Sequence, residues 1–581
     1  YLTAFAGIGG GFTNLITSTA SNGTNQDVAY SRIGGGHSNI IQGYKGEEGA
    51  AYTTIGGGHL NRISGATSHP ASWSTVGGGQ DNVVSKHPYS TIGGGKANAF
   101  VISTAGQDTS WASTNTIGGG SGNTMIDGIS NSVIGGGIDN KIIKTGAYTT
   151  GNAHSNTIAG GEQNTISGTG TYTRWSFIGG GQENFIYNTS QGTIGGGVFN
   201  QLHSQSHYST IGGGINNIHA GRAANFIGGG AYNLTKSAGW KSNNDTAYSF
   251  IGGGYQNIIS AGTIQGTIVG GIQNYMAKAS SSIIGAGRYN VISGGGSTYQ
   301  YSFLGEELSV IGGGLQNKLY KTPLSFIGAG SKNLITGQTH SFIGGGESNT
   351  ISANTHGVIV GGIGNLLTMA PFYHPQTTGK PVYKANVIAG GWDNTISGCS
   401  ISFMGSGMLN KLKHTLGSSI VAGSGNTINL GGTTGPTNTA GDNSFIGAGV
   451  INTITPVSGS GIVNHAIQSA IVGGSKNLIS GGTGSMVGTG SNNQIYTSQS
   501  SFIGSGSDNI IQGHGYTAPA GTGATIAWPT EMHTSIVGGQ ANLSNNTKYG
   551  FIGGGWRNTI SGGHRTSIVG GSDNNIKDFS G

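Results

Sequence analysis

The sequence predicts an all-β fold: a parallel β-solenoid (β-roll) of about 29 coils with a 16-residue basic repeat, one domain over residues 1–581. Three observations predict it. The first is a recurring unit, plainest at residues 341–351 as Ser-Phe-Ile-Gly-Gly-Gly-Glu-Ser-Asn-Thr-Ile. Anchored on its Asn, the unit occurs 29 times between Asn14 and Asn574, and a fixed period of this kind defines a repeat architecture. The second is the step between anchors, which is 16 residues in 13 of 28 cases and never shorter. The third is the apolar pattern. With the anchor as position 0, Ile stands at position −6 in 26 copies, replaced by Val76, Met404 and Val487 in the others. Position +2 is apolar in 26 copies, the exceptions being His219, Thr235 and Ser544. Positions −6 and +2 are eight residues apart, half of 16, so each coil divides into two equal halves with one inward aliphatic residue apiece.

Each half is too short for a helix, and the glycine triplet would break one. It suits a short extended segment followed by a turn, with β-branched Ile pointing inward. No coil could bury its pair of aliphatic residues alone, so stability is expected from stacking neighbours. Burial of each Ile contributes about 1.5–3 kcal/mol. Stacked at about 4.8 Å, 28 steps give a rod of roughly 130 Å. Position −3 is Gly in all 29 copies, which fits a corner of positive φ or a backbone too close to its neighbour for a Cβ. The anchor Asn is expected to take left-handed backbone geometry and to hydrogen-bond nearby backbone. Stacked in register, the Asn side chains are also expected to form a ladder. Ser or Thr stands at position −8 in 20 copies.

Composition narrows the function classes. Gly accounts for 118 of 581 residues and charged residues for 8%. Unpatterned glycine richness would mean disorder, but here the glycines keep the step. Collagen is excluded because Gly does not fall at every third residue. The formal net charge of +6 is spread thinly and no Lys/Arg run occurs, so no nucleic-acid partner is expected. Cys399 is the only cysteine, so no intrachain disulfide forms. No run of 18 apolar residues would span a membrane. The chain opens on Tyr1, carries no signal-peptide pattern, and is expected to be a processed product or the ordered part of a longer one.

Residues in excess of 16 always fall between the apolar residue after the anchor and the Ser or Thr before the next Ile. The longest such inserts run through residues 369–383 and 513–533. All inserts should therefore emerge along one edge, where loops on a rigid scaffold carry binding. Trp73, Trp111, Trp175, Trp240 and Trp528 lie in or beside them, with Tyr299, Tyr301, Phe372 and Tyr373. These rings form either a row of platforms for glycan or a partner, or packing between the inserts and the scaffold or a neighbouring subunit. Position −7 is Phe in nine copies, among them Phe342 and Phe445. Strand alternation points it outward, and an exposed Phe row predicts a face covered by another subunit or by the inserts.

The Ser-x-Ile-Gly-Gly-Gly-x-x-Asn-x-Ile units resemble the head repeats of trimeric autotransporter adhesins of the YadA type and similar repeats of phage and viral fibres. The resemblance implies a left-handed roll, three chains side by side, and attachment at a cell or virion surface. The unit here is longer, with Ile-Gly-Gly-Gly where those heads typically have Ala-x-Gly-type units, and no neck, stalk or membrane anchor is expected within residues 1–581.

Catalytic and metal chemistry finds little support in the sequence. The glycine triplet recurs in nearly every coil with no helix after it, so it is not a phosphate cradle. His203 and His207 have no carboxylate cluster beside them, and no metal site or cofactor is expected. Glu47 with Glu48 and Glu306 with Glu307 are adjacent acids that point apart in extended chain, unsuited to paired acid–base work. Glycosylation sequons begin at Asn22, Asn188, Asn233, Asn244, Asn542 and Asn545. The expected protein is a non-enzymatic extracellular or virion-surface fibre, structural and adhesive, whose partners are further copies of itself and a surface glycan or receptor. The alternatives are a filament subunit whose inserts serve fibre packing, a solenoid polysaccharide lyase or hydrolase, and an ice-binding surface built on the Ser/Thr row.

Overall fold

The computed structural model describes residues 5–18, 28–44, 49–66, 70–102, 114–144, 153–169, 173–222, 224–237, 246–294, 308–337, 339–368, 385–430, 443–456, 468–513 and 532–577. Among them there is no helix. The chain is a parallel β-solenoid, and each coil gives one short strand to each of two parallel sheets, 29 strands in each. Two compact units are present, one built on Tyr1–Tyr289 and the other on Asn290–Gly295 with Leu304–Gly581. In the first unit the strands of one sheet run from Gly7–Ile8 to Ile283–Ile284, and those of the other from Leu15–Ser18 to Tyr275–Ala277. In the second unit they run from Val310–Ile311 to Ser567–Ile568 and from Val291–Ser293 to Asn575–Lys577.

The coil at Ser341 shows why these residues make this shape. Its first strand, Phe342–Ile343, pairs in parallel with Val358–Ile359 of the next coil, placing Ile343 on Ile359. Its second strand, Thr350–Ser352, pairs with Leu366–Thr368 and sets Ile351 on Leu367. Within each unit the inward residues form two aliphatic columns that meet in a dry core; Ile343, Ile351, Ile359 and Leu367 have no solvent exposure. A third, single-residue pairing at position −2, such as Glu347 on Ile363, holds the corner after the glycines.

The anchor Asn is the polar spine of the coil, as expected of a ladder. Asn349 Nδ2 donates to Asn333 Oδ1 (3.1 Å), to the Gly345 carbonyl (3.0 Å) and to the Gly362 carbonyl (2.8 Å). Asn349 Oδ1 in turn accepts from the backbone N–H of Asn365 at 3.1 Å. Each side chain thus replaces the strand hydrogen bonds that the glycine corner gives up, and a buried polar group survives only when satisfied in this way. A second ladder occupies position −8 in the other half of the coil. Ser341 Oγ donates to the Asn354 carbonyl (2.9 Å), and the Ser341 N–H donates to Ser325 Oγ (3.2 Å). Where Asn replaces Ser the bonds persist: Asn386 Nδ2 donates to the Cys399 carbonyl (2.9 Å), and Asn386 Oδ1 accepts from Ser402 N–H (3.0 Å).

One expectation is corrected. The anchor Asn does not take the left-handed backbone; the residue before it does. Position −1 has positive φ in all 29 copies, whether Ser348 (φ 56), Tyr232 (φ 58), Ile451 (φ 59) or Gly364 (φ 66). The residue eight before that, position −9, repeats the conformation, for example His340 (φ 58) and Trp73 (φ 56). Each half-coil therefore reads left-handed residue, ladder residue, outward residue, inward aliphatic. Non-glycine side chains dislike this backbone by about 1–2 kcal/mol, and the stacked hydrogen bonds hold them there.

The glycine triplet divides by role. A Cβ at position −4 would meet open space in most coils, as at Gly361 and Gly554, and Ala329, Ser406 and Thr489 occupy it elsewhere. Position −5 lies close to the next coil's carbonyl, yet Val360 and Val421 occur there. Position −3 is confined by positive φ, by the next coil's backbone and by the Nδ2 of its own anchor Asn, and only Gly occurs there.

Candidate interaction surface

The coil presents four outward rows: the corner around −9, the first-strand face at −7 and −5, the opposite corner at −2 and −1, and the second-strand face at +1 and +3. The inserts belong to the first of these. On either side of the inserts the described residues end at position +3 to +5 and resume by −9. At Asn509 and Asn542 the anchor step is 33 residues, yet the Asn542 N–H still meets Asn509 Oδ1 at 3.1 Å. Insert length therefore leaves the ladder unchanged.

Of the aromatic residues singled out by sequence, Trp73 and Trp175 fall among the described residues; Trp111, Trp240, Tyr299, Tyr301, Phe372, Tyr373 and Trp528 lie outside them. Both described Trp residues lie on corner turns beside the inserts. Both occupy position −9, the left-handed corner residue, and project outward. Trp73 belongs to a column of five parallel rings in the first unit: Phe5, Tyr30, Tyr52, Trp73 and Tyr89. Their centroids are 5.4, 4.8, 5.2 and 4.9 Å apart, close to the coil rise, and Trp73 is 2° from parallel to both neighbours. Trp175 instead meets His154 edge to face at 5.0 Å. A sugar stacks on an aromatic face. Both faces of Trp73 are taken by Tyr52 and Tyr89, so Trp73 offers only its edge.

Sequence reasoning passed over Trp392 and Trp556. Both are exposed at position −2 on the other corner. Trp556 carries the Arg557 guanidinium 4.9 Å from its ring centroid, and Arg557 also pairs with Asp573 at 3.4 Å. His37 and His59 stack at 5.0 Å in the same row, below Phe12. The shared offset from the anchor was the available signal.

The Phe row at −7 is outward and about two-fifths exposed, as at Phe342 (37%) and Phe403 (41%). The described residues leave it uncovered. The Ser/Thr row at −8 is buried, so it cannot meet an ice surface. Two sequons begin at buried ladder residues, Asn233 and Asn542, where no glycan fits. Asn22 and Asn244 lie outside the described residues.

The His203 and His207 rings do not converge. His203 Nε2 shares a 3.0 Å hydrogen bond with Gln201, while His207 Nδ1 accepts from the Ser190 N–H at 3.0 Å. Burial lowers the pKa of both. Among the described residues no group of three or more His, Cys, Asp or Glu could hold a metal ion. The acid pairs Glu47–Glu48 and Glu306–Glu307 lie outside the described residues. Cys399 is buried, and burial raises its thiol pKa.

Two interior histidines make the scaffold acid-sensitive. His219 and Thr235, successive exceptions in the +2 column, share a hydrogen bond inside the aliphatic core. Burial pushes His219 down to about 3 and His87, packed against Phe100 under the corner, to about 4. Both are neutral when folded, while the unfolded chain takes up protons below its ordinary value near 6.5. Stability is therefore full above pH 6.5 and falls as pH drops toward 3. At about 1.4 kcal/mol per pH unit for each group, the loss reaches roughly 3–5 kcal/mol by pH 4.5. The double variant His219→Leu/Thr235→Ile should melt higher at pH 7 and lose about half of this acid sensitivity. Thermal melts from pH 7 to 4 check both, and parallel curves for variant and parent would refute the assignment.

Fold and surface define a glycine-rich parallel β-solenoid with outward rows of like residues. In comparisons with known proteins, no family model and no curated sequence matches the chain.

Proposed function

We propose that this chain is a non-enzymatic scaffold acting outside the cell, on a cell or virion surface, that displays its corner inserts for attachment to a glycan or protein receptor. One observation carries the reading. Inserts of unrelated sequence and length are flanked by the same corner while the Asn ladder keeps its register, as across the 33-residue step. A frame that spends its conserved geometry on rigidity and its variability on loops is suited to binding rather than catalysis. The likeness of the repeat to YadA-type adhesin heads and viral fibres agrees with this, and extends the proposal to association between copies of the chain.

The test is binding of the soluble chain to glycan arrays and to cells. Deleting residues 369–384 or 514–531, or changing Trp111, Trp240 and Trp528 together to Ala, should abolish binding with no change in melting. Trp73→Ala should leave binding intact, because its faces are occupied. A second reading, a filament subunit whose surfaces serve only packing between copies, is favoured by the exposed Phe row. Absence of binding from every array, or equal binding by all variants, assigns the chain to that reading.

A further inference from the structure

The first-strand face of the second unit is a levelled apolar surface. Its outward residues at −7 and −5 include no charged side chain in any of the fourteen coils from Val310–Ile311 to Ser567–Ile568. The two positions compensate for each other. Every Phe at −7 has Gly at −5: a Cβ on Gly344 would lie 3.3 Å from Phe342 Cε1, and one on Gly447 3.3 Å from Phe445 Cε1. The rings therefore lie along the strand over their own glycines. Where −5 is Val the −7 residue is smaller, as in Val421 with Ser419 and Val537 with Ser535. Rings over glycines and valines beside smaller −7 residues share the face along its length, so bulk at one position is offset at the other. Adjacent rings reinforce it: Phe326 and Phe342 stack at 5.3 Å.

We propose that this face packs against the same face of a second copy of the chain. The area is sufficient. Fourteen coils at about 4.8 Å, times three residues at about 3.3 Å, give roughly 650 Å² per copy. The total of roughly 1,300 Å² lies within the range of stable specific interfaces. The period also selects the occupant. Side chains recurring at each coil interdigitate over many coils only with a ladder of the same rise, and two sheets meeting face to face about 10 Å apart supply one. A face without charge holds no handle for an acidic or basic partner, whereas a two-fold pairing asks only that the surface complement itself. The first unit carries Arg32 and eight Thr at position −7, and the pairing is assigned to the second unit alone.

The full chain tests this without any receptor, so its outcome is separate from that of the attachment reading. Sedimentation should show a concentration-dependent oligomer. Phe342→Lys with Phe445→Lys, both exposed and hence compatible with folding, should weaken association by about a hundredfold or more, because each buries an unpaired charge. Unchanged circular dichroism and melting of the monomer confirm that the fold survives. Ser535→Cys, on the face, should cross-link between copies under a short bis-maleimide; Ser475→Cys, at position −2, should not, and buried Cys399 stays silent. A chain that is monomeric at all concentrations overturns the proposal. So does an oligomer indifferent to the two Lys changes, or a Ser535→Cys thiol shielded from maleimide in the monomer.

Discussion

Gly346→Ala is expected to destabilise the surrounding coils by about 3–5 kcal/mol. The residue sits at φ +91, and a Cβ there would overlap the Gly362 carbonyl oxygen and come within 2.7 Å of Asn349 Nδ2. Three costs combine. Positive φ strains Ala by about 1–3 kcal/mol, overpacking adds about 1–3 kcal/mol, and Asn349 is displaced from its bond to the Gly362 carbonyl. Gly345→Ala is the control. A Cβ there would have no neighbour nearer than 4.0 Å, and the chain itself places Ala329, Ser406 and Thr489 at position −4, so the cost should stay within about 0.5 kcal/mol. Hydrogen exchange is the informative readout, because repeat arrays open locally. Protection should fall around residues 330–365 in the Gly346 variant. Equal protection in both variants would remove the argument that position −3 is sterically fixed.

Ile343→Asp should cost at least as much, about 4 kcal/mol or more. Ile343 is fully buried between Ile327 and Ile359 in the column, and a carboxylate there has no cation to pair with and no water. It either stays charged at large cost or takes up a proton, so the damage should ease at low pH, opposite in sign to the histidine effect. The variant should lose exchange protection in the coils on both sides of residue 343 and melt in an additional early transition. A melt identical to that of the parent would place this side chain outside the core.

Much of the scaffold was legible because its chemistry is repeated at fixed offsets. Ile343 and Ile351 announce two inward columns through their spacing of eight. Gly346 announces a position without room for a Cβ, and Asn349 a stacked amide. The left-handed residues were not legible: Ser348, Tyr232 and Ile451 share no side-chain property, because the neighbouring hydrogen bonds impose their backbone. The aromatic column was half legible. Trp73 was noticed, but its tie to Tyr52 and Tyr89 shows only when position −9 is compared between coils. His219 and Thr235 each looked like a lapse in the pattern; being neighbours in one column was the sign that they pair. Most of the insert aromatics lie outside the described residues, and the binding role assigned to them rests on where the inserts depart.

The Asn ladder closes equally well across 16 residues, at Asn349 and Asn365, and across 33, at Asn509 and Asn542. Loop closure costs only about 0.6 kcal/mol for each doubling of length, so the corner acts as a docking port that accepts cargo of almost any size. Foreign peptides could be spliced there without retuning the frame, every coil above and below remaining unaltered.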